Sequence, residues 1–117
     1  MPAGRNDRAA PPRRPGGYEI RFASKEAADG WEELARVATN ALRAAWDVMD
    51  SDPLTPTNVD RHHRLKAGFA TVTVKGKVLE QWQYEVTSGG RIWFGVDREN
   101  KIVWVTYAST RHPKATD

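Results

Sequence analysis

Three cations and a histidine carry the chemistry that residue spacing suggests in this chain. Arg91 opens the run Arg91-Ile92-Trp93-Phe94, directly after the turn Ser88-Gly89-Gly90. A guanidinium fixed beside a tight turn can grip a phosphate through two parallel hydrogen bonds. Arg64 and Lys66 are spaced by two in an extended stretch, so they project to one side about 7 Å apart, a fit for adjacent phosphates. His112 follows the last apolar run, between Arg111 and Lys114. Cations on both sides favour the neutral imidazole, the form a general base needs near neutral pH. Each group also has a plainer reading. Arg64 and Lys66 could be charges that guard an edge strand, Arg91 could pair with Glu85, and His112 could lie in an unstructured terminus.

Other chemistries find little support. The chain has no cysteine, so thiolate metal sites and disulfides are excluded. His62 and His63 are adjacent and would point to opposite faces of a strand, and no His-x3-His spacing exists. Glycine-rich phosphate loops, nucleophile elbows and dinucleotide fingerprints are absent. No cofactor is implied.

The 117 residues suffice for one domain. Residues 1–17 are rich in Pro, Gly and Arg without apolar period, so a disordered basic tail is expected there and a folded domain over 18–117. Neither a secretory signal nor a membrane-length apolar run is present, which makes the cytoplasm the expected location. The net charge of +3 conceals an asymmetry. Residues 18–60 carry four basic and nine acidic side chains, whereas 61–117 carry ten basic and five acidic. A basic C-terminal half suits an anionic partner such as RNA or DNA.

The elements that must position these groups follow from periodicity. Tyr18, Ile20 and Phe22 alternate with Glu19 and Arg21, predicting a short strand. Ser24 is placed to cap a helix, with Glu26 and Asp29 in its first turn. Ala27, Trp31, Leu34, Ala35 and Ala38 continue at helical spacing. Leu42, Ala45, Trp46 and Met49 form a second stripe after a joint at 37–40, and Ser51-Asp52-Pro53 ends it. Both tryptophans read as core. The period then switches to two, with strands expected at 69–74, 78–87, 91–96 and 102–108, joined by turns at 75–77, 88–90 and 97–100. The fold class is therefore α+β: an N-terminal strand, a helical hairpin, then an antiparallel meander of three to four strands with the helices on one face. By parity, Trp82, Tyr84, Val86, Ile92, Phe94, Val96, Val103, Val105 and Tyr107 should face the helices. Gln81, Gln83, Glu85, Arg91, Trp93, His62, Arg64 and Lys66 should line an open, cationic face free to bind, where Trp93 could stack on a base.

This layout resembles the RelE/ParE superfamily of bacterial type II toxin–antitoxin toxins, and in particular small actinobacterial proteins ending in a His-Pro-Lys-Ala-Thr tag. The matching features are Tyr18-Glu19-Ile20-Arg21-Phe22 with the Ser24-Lys25-Glu26-Ala27 helix start, His63-Arg64-Leu65-Lys66 before the meander, Arg91-Ile92-Trp93-Phe94, and Arg111-His112 after the last strand. The resemblance covers about residues 18 to 114. It implies a toxin held by a cognate antitoxin. It further implies metal-independent cleavage of mRNA on the ribosome, with Arg91 stabilising the transition state, His112 as acid or base, Arg64 and Lys66 as catalytic cations, and Arg111, Lys114, Trp93, Gln83 and Glu85 contacting RNA. One departure stands out: residues 113–117 contain none of the aromatic hydroxyls that many nucleases of the superfamily carry near the terminus. Two other readings stay open. One is a non-enzymatic inhibitor of DNA gyrase, as in the ParE branch; the other is a nucleic-acid-binding module without catalysis.

Overall fold

The computed structural model describes residues 15–111. His112, Lys114 and residues 1–14 of the expected tail lie outside them. Strand β1 (Glu19–Phe22) leads into helices α1 (Lys25–Val37) and α2 (Thr39–Ser51), followed by β2 (His62–Arg64), a 3-10 turn at Ala67–Phe69, then β3 (Thr71–Val74), β4 (Lys77–Glu85), β5 (Arg91–Asp97) and β6 (Ile102–Ser109). This is the expected α+β order.

Local chemistry explains the boundaries. Ser24 Oγ accepts from the Ala27 amide at 3.1 Å, satisfying one of the free donors at the start of α1. Ala38 leaves helical geometry (φ −141°, ψ 50°) and separates the helices. Asp52 Oδ1 accepts from the Leu54 amide after α2, where Pro53 cannot continue the helix. Leu34, Leu42, Ala45 and Met49 bury the helical stripes against Trp82, Ile92, Phe94, Val96, Val103 and Val105 of the sheet. α1 lies so close over β6 that a Cβ on Gly30 would sit 1.8 Å from the Ala108 carbonyl oxygen. Trp31 and Trp46 are only half-buried: Trp31 packs against this core and meets the Phe22 ring at 5.6 Å, whereas Trp46 is not part of it and has Arg43 over its ring at 5.2 Å.

The sheet runs β1-β6-β5-β4-β2, with β3 also on β4. All pairs are antiparallel except β1 with β6, which is parallel. The sheet is thus mixed: the first strand of the domain closes against the last.

Three side-chain placements differ from simple alternation. A β-bulge leaves Thr106 unopposed, since Trp93 pairs with Tyr107 while Phe94 pairs with Val105. The extra residue reverses the phase, so Tyr107 leaves the helix face to join Trp93 (ring centroids 5.1 Å apart) and Ala108 enters the core instead. His62 pairs with Tyr84 and lies on the helix side, 3% exposed, against Trp82, Tyr84 and Phe94. Arg64, two residues on, shares that side of the strand at its exposed end, and His63, opposite Gln83, takes the second face. A short strand separated from β4 by a 3-10 turn and β3 carries no phase that parity could transfer.

The second face is not free. Phe69 packs on Trp93 at 5.2 Å, and Gln81 Nε2 donates to the Phe69 carbonyl. Toward the other end, Val72, Val74, Leu79, Ile102 and Trp104 form a second apolar cluster. Val72 reaches across β4 because Gly95 offers no side chain; a Cβ there would meet Val72 Cγ1 at 2.9 Å.

Candidate nucleic-acid interface

Arg91 makes more side-chain hydrogen bonds than the other expected site residues, and so is not a free cation. It opens β5 opposite Glu85 and Ser109. Its Nη1 donates to the carbonyls of Thr87 (3.0 Å), Ser88 (3.2 Å) and Gly90 (3.1 Å). Glu85 Oε1 lies 3.7 Å away, so the plainer ion-pair reading also applies. The turn itself is tied by Thr87 Oγ1, which accepts from the Gly90 amide at 2.8 Å. The guanidinium is buried, and its Nε has no hydrogen-bond partner among the described residues. A buried donor without a partner is costly, so the group holds unspent capacity for an acceptor.

Next to this row lies His63–Gln83–Trp93–Tyr107. Trp93 Nε1 donates to Gln83 Oε1 at 2.8 Å, and the indole is enclosed by Phe69 and Tyr107. Trp93 and Gln83 therefore build the floor of this face, with little surface for a base to stack on. Gln81 Oε1 accepts from Thr106 Oγ1 at 2.6 Å, locking the bulge to β4.

Arg64 and Lys66 stand at the β2 margin. Arg64 Nη2 donates to the Ala70 carbonyl at 2.9 Å and keeps the rest of its fork exposed. Lys66 is exposed and makes no side-chain hydrogen bond or ion pair among the described residues. Arg111 is exposed beyond β6, its amide held by Ser109 Oγ. The fold thus brings together Arg91, Glu85, Gln83 and Trp93, and places Arg64 and Lys66 at the side; His112 and Lys114 fall outside the described residues.

Two neighbours escaped the sequence reading. Arg61 spans to the end of β4, where its Nη2 donates to the carbonyls of Glu85 (2.9 Å) and Val86 (3.1 Å). Tyr107 offers a half-buried phenol on this face, near the C-terminal end of the fold. Only the bulge reveals it, and nothing in the alternation of residues 102–108 announces an extra residue.

On the helix side, burial pushes the His62 imidazole below its ordinary value, against a 2.7 Å hydrogen bond from Nε2 to the Pro53 carbonyl that works the other way. The Arg98 guanidinium, bound to both oxygens of Glu80, holds that carboxyl below the usual range, with the Trp82 indole also donating to it. These groups belong to the scaffold on the helix side of the sheet.

No family model and no curated protein matches this chain. Among solved structures it is similar to a chain of the archaeal RelE–RelB complex from Pyrococcus horikoshii OT3, with a TM-score of 0.56 at 12% identity, covering 79% of this chain and 92% of that one. With its helical hairpin on one face of a five-strand path closed by a parallel β1–β6 pair, the domain has the RelE-like α+β fold.

Proposed function

We propose that this protein is the toxin of a type II toxin–antitoxin module and a metal-independent endoribonuclease acting on mRNA at the ribosome. The observation that carries the reading is the likeness of its fold to a chain of a RelE–RelB complex, taken with the cationic margin around β2 and the β4–β5 turn. Cleavage of this kind needs no external nucleophile. The RNA 2′-oxygen bonds to the adjacent phosphorus as the bond to the 5′-oxygen breaks, leaving a 2′,3′-cyclic phosphate and a 5′-hydroxyl. A base takes the 2′-proton and an acid protonates the leaving oxygen. Lys66 and Arg64 would hold the phosphates, and Arg91 would stabilise the developing charge through the positive field of its buried guanidinium behind the turn. His112 and Tyr107 are the candidates for proton transfer.

The partner in this reading is an antitoxin. The helical hairpin carries an apolar groove of about 220 Å³ lined by Trp31, Ala35, Leu42 and Trp46, a surface such a protein could cover, and acidic antitoxin residues would meet Arg64 and Lys66. Work on translating ribosomes would place the protein in the cytoplasm; no helix among the described residues is long and apolar enough to cross a membrane.

A second reading is favoured by one observation. Arg91 and Trp93 spend most of their capacity inside the fold, as would suit a toxin that binds a protein such as DNA gyrase without catalysis. Induced expression followed by mapping of RNA 5′ ends separates the two. New mRNA ends that disappear in the Arg64→Ala/Lys66→Ala variant support the nuclease. Growth arrest with intact mRNA and relaxed plasmid DNA overturns it in favour of gyrase.

A further inference from the structure

At the hairpin end of the second face, away from Arg91, a cleft of about 270 Å³ opens between β1, the β3–β4 turn and β6. Three segments bring a cation to it: Arg21 from β1, Lys75 from the turn and Lys77 from β4. The indole of Trp104, opposite Arg21 in the β1–β6 register, forms one wall. Arg21 and Lys75 both stand 5.9 Å from the centre of that ring. Both cations stand near the same ring and line the same cleft, and an anion in the cleft would offset their like charge.

The lining contains one carboxylate, Asp97, and its charge is already engaged. Its oxygens accept from the Asn100 amide (3.1 Å), from Asn100 Nδ2 (2.9 Å) and from Lys77 Nζ (3.2 and 3.3 Å). At the rim, Glu19 pairs with Arg21 and Glu99 with Lys77, each exposed and screened by solvent. Lys75 has no acidic partner among the described residues, and the Trp104 indole N–H has no hydrogen-bond acceptor there.

The turn adds an independent observation. Lys75 adopts φ +52° and Gly76 φ +78°, the hairpin geometry in which Asn or Gly is favoured at the first position. A lysine there is less favoured than Asn or Gly, and its side chain lines the cleft beside the Trp104 ring.

We propose that this cleft binds a phosphate of a polynucleotide backbone, as an anchor separate from the residues assigned to cleavage. β5 runs from Arg91 at one end to Asp97 at the other, so the two sites stand about 20 Å apart, several nucleotides along an extended strand. The inference rests on the nucleic-acid reading above for the source of the phosphate, but not on cleavage.

The test uses the full chain and a twelve-nucleotide RNA, 2′-O-methylated throughout so that no 2′-hydroxyl can attack. Its binding is followed by fluorescence anisotropy over a salt series for wild type, Arg21→Ala and Lys75→Ala. Each variant should bind several-fold more weakly, with a slope of log K against log salt shallower by about 0.7. In ¹H–¹⁵N spectra of wild type, the RNA should shift the Trp104 indole signal and the amides of Lys75 and Gly76, and inorganic phosphate should shift the same signals at higher concentration. Phosphate shifts accompanied by unchanged RNA binding in both variants would overturn the polynucleotide source. Absence of shifts with either ligand would overturn the site. Cleavage is read separately, with unmodified mRNA on ribosomes: no cleavage there by a protein that binds the methylated RNA through this cleft leaves the anchor standing and removes the nuclease, whereas cleavage there with unchanged affinity for the methylated RNA in both variants does the reverse.

Discussion

Arg91 sits among carbonyl oxygens, and that setting decides what its removal does. Three turn carbonyls accept from one nitrogen of its guanidinium, and Glu85 balances the charge. Arg91→Ala should therefore destabilise the fold by about 1.5–3 kcal/mol, the range for lost charge-assisted hydrogen bonds at buried groups. Urea unfolding would read this as a lower midpoint; an unmoved midpoint would mean the turn closes without the guanidinium. Any assay of the variant belongs well below its melting temperature, where lost function is separable from lost fold. The residue's position was legible from the Ser88-Gly89-Gly90 turn, but its burial was not, because the three carbonyls converge only once β4 and β5 have paired. His62 gives a second outcome at this scale. Burial lowers its folded pKa beneath the 6.5 of a free imidazole, so the unfolded chain takes up the proton first. Its contribution to stability is complete above about pH 6.5 and declines as pH falls through that value. The thermal midpoint should drop between about pH 7 and pH 5.5 in wild type. His62→Gln, whose amide can still donate to the Pro53 carbonyl, should lose that dependence. Equal pH slopes in both proteins would assign the effect to another group.

Among elements, those with local punctuation were readable in advance. Ser24 starts α1, Pro53 follows the end of α2, and the turns before β4 and β5 contain Gly76 and Gly90. What could not be read were features that exist only between elements. The unopposed Thr106 moves Tyr107 to the second face, and the register of β2 puts His62 in the core. The contact of α1 with β6 is of the same kind, and it reverses an ordinary rule. Gly→Ala inside a helix usually stabilises by about 1 kcal/mol. At Gly30 the added Cβ would fall 1.8 Å from the Ala108 carbonyl oxygen, so α1 would have to lift from the sheet. Gly30→Ala should destabilise the protein by about 2 kcal/mol or more, on the scale of an overpacked core. A chemical-denaturation midpoint at or above the wild-type value would disprove the close crossing.

At the scale of the molecule, the order of strands and helices was legible, but the way the sheet closes was not. An alternating β1 gives no hint of its neighbour, and the meander suggested an antiparallel sheet. Instead Glu19, Ile20, Arg21 and Phe22 pair with Ile102, Val103, Trp104 and Val105. The β1–β6 pair also has a kinetic side. It joins the start of the domain to its end, a contact of high sequence separation whose loop-closure entropy must be met before the contact forms. During synthesis β1 has no strand to pair with until residues 102–105 have been made, and the main body of the core, which includes Val103 and Val105, cannot close before then. A growing chain is therefore without its finished fold until β6 has been made, and a ribosome that stops short of β6 carries a polypeptide with neither of the two faces described above.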